Sequence, residues 1–378
     1  MRFALLAATL GVLIVAAPVA AVTGWGPPTR VVASVEPLSP DAVMDADGYI
    51  HVTWLEDYTS VRGIFYATNR SGSWVSERVT TGDDFYARPS IGVDSANHAY
   101  IAFGRLSCSD PDCNVTARIW VANNKSGSWS VNPRSAGDAD LAPSLVVHND
   151  KLYIAFTRQH FPQYGAADSG VWYTTNQSGS WVETQVASAF GKCFVNQFPS
   201  LDIDANGKLS IAYEGPRGVH QGCGHGYSAG MRLATNASGS WVRTTLSTNQ
   251  DDVAPSLALG ADGRPRITFW RAGIGLYYTR QTGSGWTPFS FIADGETPAL
   301  VLDGNGVPRL AYESSGEYYA VRSGSGWVKK HVYNGPVDQG TWSGPAIVVS
   351  DAGKATVIFA RADASSEDDL GIYTVQQQ

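Results

Sequence analysis

Apolar and polar positions along this chain alternate in short runs, and the runs come in groups of four. In Pro199–Leu246, Ser200–Ile203 alternates as a half-buried strand does. Ala205-Asn206-Gly207 follows, with the Asn-Gly pair that tolerates the positive φ of a tight hairpin. Lys208–Tyr213 is a second run. After a long connection, Glu214–Gly230, comes Met231–Thr235, whose residues suit a pleated surface. Asn236–Ser240 then turns the chain into a fourth run, Trp241–Leu246. These are strands a, b, c and d of one antiparallel meander. No stretch of useful length carries a 3.6-residue apolar period, so almost no helix is expected.

The meander recurs. Its c–d turn, Asn-X-Ser-Gly-Ser-Trp, stands at Asn69–Trp74, Asn124–Trp129, Asn176–Trp181 and Asn236–Trp241, with looser copies ending at Trp286 and Trp327. Its a–b phrase starts at Pro40, Pro89, Pro143, Pro199, Pro255, Pro298 and Pro345. A repeat of this period means a solenoid, a propeller or an array. The a–b phrase has one copy more than the c–d turn, and that difference selects among them. The last repeat reaches only its strand c, Gly371–Val375, whereas Gly24–Ala33 begins with an unassigned Trp25 and precedes the first strand a. An N-terminal strand that completes the last sheet closes a ring. The expected fold is all-β: a seven-bladed β-propeller of four-stranded antiparallel blades.

Composition adds the compartment. Charged residues make up only 16% of the 378 residues and aromatic residues 11%, as in many extracellular β proteins. A net charge of −7 argues against a nucleic-acid backbone as partner, which demands clustered Lys and Arg. Arg2 and the apolar run Phe3–Val22, closed by Ala20 and Ala21, read as a secretory signal. The expected organisation is a signal peptide over 1–21 and one propeller domain over 22–378. An uncleaved anchor is the rival reading of the same run. The expected mature chain is a secreted monomer without stable membrane insertion. Its four cysteines are expected to pair as Cys108–Cys113 and Cys193–Cys223. Asn69, Asn114, Asn124, Asn176 and Asn236 lie in glycosylation sequons, four of them at the repeated turn.

Chain direction separates two faces. The a–b and c–d turns on one face are short and alike, and their Asp-X-Asp-Gly pattern lacks the later carboxylate of a calcium loop. The d–a and b–c connections on the other face diverge, with long b–c loops at Leu106–Ala117, Gln159–Gly170 and Glu214–Gly230. Function tends to sit on variable loops held by a rigid scaffold, which points to the loop face over blades 2 to 4, off the central axis. The candidate ligand-binding residues there are Tyr86, Arg88, Arg105, Arg158, His160, His220 and His225. Arg88 should point near the mouth of the central channel. Arg105, Arg158, Arg271 and Arg361 recur two residues after the strand-b aromatic, as carboxylate binders or as inter-blade partners of acids such as Asp138, Asp140, Asp251 and Asp252. Glu214 and Glu313 directly follow their aromatics and form a candidate carboxylate pair. His220 and His225 flank Cys223, but the set offers too few ligands for a metal, and neither metal nor cofactor is expected.

The layout resembles the sialidase-like propellers, whose c–d turns carry an Asp-box, Ser-X-Asp-X-Gly-X-Thr-Trp. Here Thr68-Asn69-Arg70-Ser71-Gly72-Ser73-Trp74 sits at the equivalent turn, one residue shorter and without the Asp. Arg88 before Pro89 is similar to that family's Phe-Arg-Ile-Pro opening, at a different offset, and no Tyr–Glu nucleophile pair is evident. A second resemblance is to seven-bladed bacterial lectins, which bind sugars between blades. These likenesses imply a glycan or glycoconjugate partner. The expectation is a secreted glycan-recognising propeller. The alternatives are a sialidase-like glycoside hydrolase and a scaffold for protein partners.

Overall fold

The structure, a computed structural model, describes residues 24–58, 60–81, 85–108, 115–159, 168–189, 198–215, 230–335, 343–361 and 370–378. They form seven antiparallel sheets and no helix. Blade 3 shows the plan: Asp140–His148, Lys151–Arg158, Gly170–Thr175 and Val182–Ser188 pair in sequence order. The innermost strands of successive blades touch, and the first, Pro37–Met44, also touches the last, Ala346–Val349, so the sheets stand in a ring. No helix among the described residues is long and apolar enough to cross a membrane.

The seventh blade is composite. Thr29–Ala33 pairs antiparallel with Gly371–Gln376 and supplies the outer strand. Trp25 bridges to Gln377, and its ring lies 4.9 Å from Tyr319 of blade 6. The same step is made by Trp129 onto Tyr66, Trp241 onto Tyr173 and Trp327 onto Tyr278, each reaching the strand-c tyrosine of the preceding blade. The repeated tryptophans are therefore blade-to-blade packing. Blade 5 departs from the plan. Its outer strand is split into Gly285–Trp286 and Ser290–Ala293, because Pro288 between them has no N–H for the ladder.

The core is divided among the blade junctions. Seven apolar clusters fill the seven interfaces, such as Tyr153, Tyr173, Leu201 and Ile211 between blades 3 and 4. Strand b is buried on both faces; Ile50–Glu56 is closed to solvent along its whole length. Simple alternation therefore fails in strand b, and residues with small or branched side chains, such as Ala102, Ala155, Ala212 and Thr53, fill its tightly packed positions. Burial of this kind stabilises each large side chain by roughly 1.5–3 kcal/mol.

The repeated turns hold the opposite face together. In each full motif the Asn Oδ1 accepts a backbone N–H at the start of strand b: Ile50 to Asn69, Ala99 to Asn124, Leu152 to Asn176 and Leu209 to Asn236. The motif Gly adopts φ of 88°, 84°, 90° and 93°, which explains its invariance among the copies. In the a–b turns Asp45, Asp204 and Asp303 each accept two backbone N–H groups of their own hairpin. Both turn types are occupied by structural hydrogen bonding.

Deleting residues 24–33 should expose the edge of Gly371–Gln376 and open the ring. We expect insoluble protein, or a melting temperature lower by ~10 °C or more, measured calorimetrically against the same chain with residues 24–33 kept. Unchanged melting would contradict closure by this strand.

Candidate functional site

Five of the seven inner strands, those of blades 1, 2, 3, 5 and 6, share an irregularity where they enter from the loop face. A residue preceding proline breaks the register with strand b, as between Ala87 and Ser90 in blade 2 and between Leu141 and Ser144 in blade 3. The pre-proline residues Ser39, Arg88, Ala142, Ala254 and Thr297 take positive φ values of 49°, 21°, 52°, 48° and 48°. Such a bulge bends the strand and re-aims one side chain. Around the axis the bulges line a cavity of about 210 Å³, and a second cavity of about 500 Å³ continues between the inner strands.

Just past the proline in blades 1 to 5 a side chain clasps the next blade. Asp41, Ser90, Ser144, Ser200 and Ser256 accept the backbone N–H of Ile91, Leu145, Leu201, Leu257 and Leu300 on the next blade, at 2.9–3.0 Å. Ser343 Oγ accepts the N–H of Ser39 across the junction of blades 7 and 1. Further along the channel, Asp202 accepts the N–H of Leu259.

The seven pre-proline residues are Ser39, Arg88, Ala142, Phe198, Ala254, Thr297 and Gly344, and all but Ala142 line the mouth. Five carry small groups. Only blades 2 and 4 present large ones, and these meet across Ala142 of blade 3: the Arg88 guanidinium lies 4.5 Å from the centre of the Phe198 ring. Glu214, buried at the end of strand b in blade 4, adds a negative charge within reach of Arg88 and accepts the N–H of Ala254 at 3.0 Å. Loss of hydration at the mouth pushes the Arg88 pKa down to about 10, with Glu214 opposing, so the guanidinium stays charged at neutral pH.

The other sequence candidates have different surroundings. Tyr86 is buried, with its ring edge-on to Phe103. Arg105 is its ladder partner and lies 4.6 Å from the Trp120 ring. Arg158 is buried, bidentate to Asp140 at 2.6 and 3.0 Å, joined to Glu183 at 2.9 Å and stacked on Trp172. Arg271 likewise grips Asp252. These pairs are cross-strand within one blade, not between blades as the sequence suggested, because the acid and the arginine are ladder neighbours on strands a and b. Blade 2 has Tyr86 where blades 3 and 5 have the Asp. His160, His220, His225, Cys113, Cys193 and Cys223 lie outside the described residues; Cys108 ends a strand, its backbone paired with Val115. Residues 1–23 and Asn114 also lie outside them.

Sequence reasoning missed Phe198, although an alignment of the seven pre-proline positions contains the signal. It also missed two groups of acids. Asp202 faces the channel, and desolvation raises its pKa to about 6. Glu317, opposite Glu313 in blade 6, is buried and pushed well above the usual carboxylate range by desolvation and by the Glu313 charge. Among the described residues no group of three or more His, Cys, Asp or Glu is arranged to hold a metal ion.

Fold and mouth together define a seven-bladed β-propeller with a polar opening on its loop face that carries Arg88. No family model matches the chain, and no curated protein matches it. Among solved structures it is similar to an ulvan lyase bound to -[GlcA(1-4)Rha3S]-, at a TM-score of 0.53 and 12% identity over 93% of this chain and 94% of the other. It is similar to the Penicillium chrysogenum α-L-arabinanase complexed with arabinobiose, with a TM-score of 0.52 and 13% identity over 80% and 99%. The SapL1 lectin in complex with α-methyl fucoside follows at 0.50 and 12% over 82% and 100%. These likenesses are of fold; all three proteins are glycan-binding or glycan-active propellers.

Two variants test the electrostatic assignments. Arg158→Ala strands the buried Asp140 and should cost about 3–5 kcal/mol in chemical denaturation. A loss under 1 kcal/mol would deny the strut. Asp202 has a folded pKa above its unfolded value near 3.9. Its contribution to stability is therefore full below about pH 4 and is lost as pH rises through about 6. Asp202→Asn should flatten the fall in melting temperature between pH 4 and 8; an identical slope in both proteins would reject the assignment.

Proposed function

We propose that this protein recognises a glycan at the loop-face mouth of its axial channel, and that the preferred sugars are acidic. The observation that carries this reading is the Arg88–Phe198 pair, placed where the other five blades present small groups. A guanidinium takes a carboxylate or sulfate through two parallel hydrogen bonds. An aromatic ring beside it offers a surface for the apolar face of a sugar. The bulge supports the Arg88 backbone, and the neighbouring small residues leave room for a ring. The glycan ligands and substrates named for the structural neighbours favour the same class of partner. Arg105, on blade 2 with Arg88, extends this candidate surface; Arg158 is spent on Asp140 and Glu183. With this reading goes an exported, monomeric chain, its 1–21 segment removed and its cysteines paired as the sequence analysis expects.

A second reading, a sialidase-like glycoside hydrolase, draws support from Glu214 beside Arg88, a carboxylate next to the place a sugar would occupy. Hydrolysis demands a partner carboxyl about 5–10 Å away across the scissile bond. Turnover of a fluorogenic glycoside panel, abolished by Glu214→Gln, would favour the enzyme; binding without turnover favours the lectin.

The test is an array of acidic and neutral oligosaccharides probed with the wild type, Arg88→Ala and Arg88→Lys. Ala already occupies the equivalent bulge in blades 3 and 5, so Arg88→Ala should melt like the wild type. We expect it to lose roughly 10–100-fold in affinity for acidic glycans, the worth of a charged hydrogen-bonded pair. Lys should restore part of the loss. Acidic-glycan binding that survives Arg88→Ala would reject the site.

A further inference from the structure

Strand c begins the same way in blade after blade. The first residue on the face toward the next blade is Ile64, Ile119, Val171, Met231, Leu276 and Ile372 in six blades, all buried. In blade 6 it is Glu317, just as buried at 2% exposure. Its ladder partner Glu313 is 3% exposed, and the partner of Glu313 on strand a is Glu296. Three carboxyls thus form one row across blade 6, facing blade 7, where most of the other blades are apolar. Directly paired residues hold their Cβ atoms about 4.5–5.5 Å apart. Two ionised carboxylates at that distance without solvent would repel strongly. Glu317 Oε2 is sealed from water and has no hydrogen-bond partner among the described residues.

The same joint differs at the axis. The residue after the strand-a proline clasps the next blade through its side chain in blades 1 to 5. In blade 6 that residue is Ala299, which has no acceptor to offer. The joint between blades 6 and 7 thus combines a buried acid pair with a missing clasp. It borders the mouth directly, because Thr297 follows Glu296 and lines the mouth with Gly344 of blade 7. Among the described residues, the groups around the acids include Tyr333 opposite Glu317 on strand d, and Arg361 of blade 7, whose guanidinium lies over Tyr333 and Tyr373. His331 is stacked on Tyr318.

We propose that Glu317 is held as a neutral carboxylic acid against Glu313, and that its ionisation loosens the joint between blades 6 and 7 beside the mouth. The neutral acid costs little to bury, whereas the charged one is a penalty that only hydration relieves. Burial and the Glu313 charge both raise the Glu317 carboxyl above its unfolded value. Its support of the joint is therefore complete at low pH and is lost as pH rises through the folded pKa. Opening then follows the release of one proton, and the local opening equilibrium climbs by up to about tenfold per pH unit.

The test is hydrogen exchange on the full mature chain between pH 5 and 9, corrected for intrinsic rates, for the wild type, Glu317→Gln and Glu317→Ile. In the wild type, protection of Glu317–Ser323 and Ala346–Val349 should fall with rising pH while blades 2 and 3 stay constant. Both variants should be flat over the range; Ile is the residue that blades 1, 2 and 7 use. A flat wild-type profile overturns the proposal, as does an unchanged slope in either variant. Should Glu317→Gln fail to fold, the wild-type profile and the Ile variant decide.

Discussion

A blade of this propeller is apolar on both faces and is stable only between two neighbours. Everything else follows from that constraint. Strand b is buried along its length, tryptophans reach back to the preceding blade, and the chain must return to its start. Pairing of Thr29–Ala33 with Gly371–Gln376 meets the last requirement, and Trp25 fills the position that Trp129, Trp241 and Trp327 fill elsewhere. Closure also fixes the axis. The inner strands converge there, and the pre-proline bulges of five of them help to shape the mouth.

The ring was legible in the sequence because its signals are periodic. The Asn-X-Ser-Gly-Ser-Trp turn repeats since every residue with a stated contact in it has the same work in each copy: Asn69 caps strand b, Gly72 takes the left-handed conformation, and Trp74 packs on blade 7. The surplus of seven a–b phrases over six c–d turns carried the closure argument. The site was less legible, because a site is a departure from the period. Arg158 recurs with Arg271, and both proved to be ladder partners of an Asp on the adjacent strand. A single sequence does not show which arginines have such an acid in register. Arg88 stood out only by its proximity to Pro89, and Phe198 was hidden in the phrase used as the reference repeat. Glu317 follows a three-residue turn, and its burial comes from blade 7, which no local pattern reveals.

Departures from an internal repeat are therefore the most informative residues here. Most structural positions appear in blade after blade, and their roles can be checked against several copies in one molecule. At the mouth, the five positions besides Arg88 and Phe198 show what the fold alone requires: a small side chain. At the acid row, most other blades show that the fold requires an apolar pair. Arg88 and Glu317 each replace a cheap solution with a costly one, a pattern expected where function overrides packing. Arg88 lines the mouth from blade 2, and the joint that holds Glu317 meets the same mouth through Thr297 and Gly344.

The central claim is that the axial mouth, not the rim or the grooves between blades, receives the glycan. The most direct measurement is a crystal structure of the propeller with an acidic oligosaccharide bound. The account predicts a sugar carboxylate or sulfate about 2.7–2.9 Å from the Arg88 guanidinium, with a pyranose or furanose ring over Phe198. A sugar seated between blades on the outer tryptophans, with Arg88 still lying on Phe198, would contradict it.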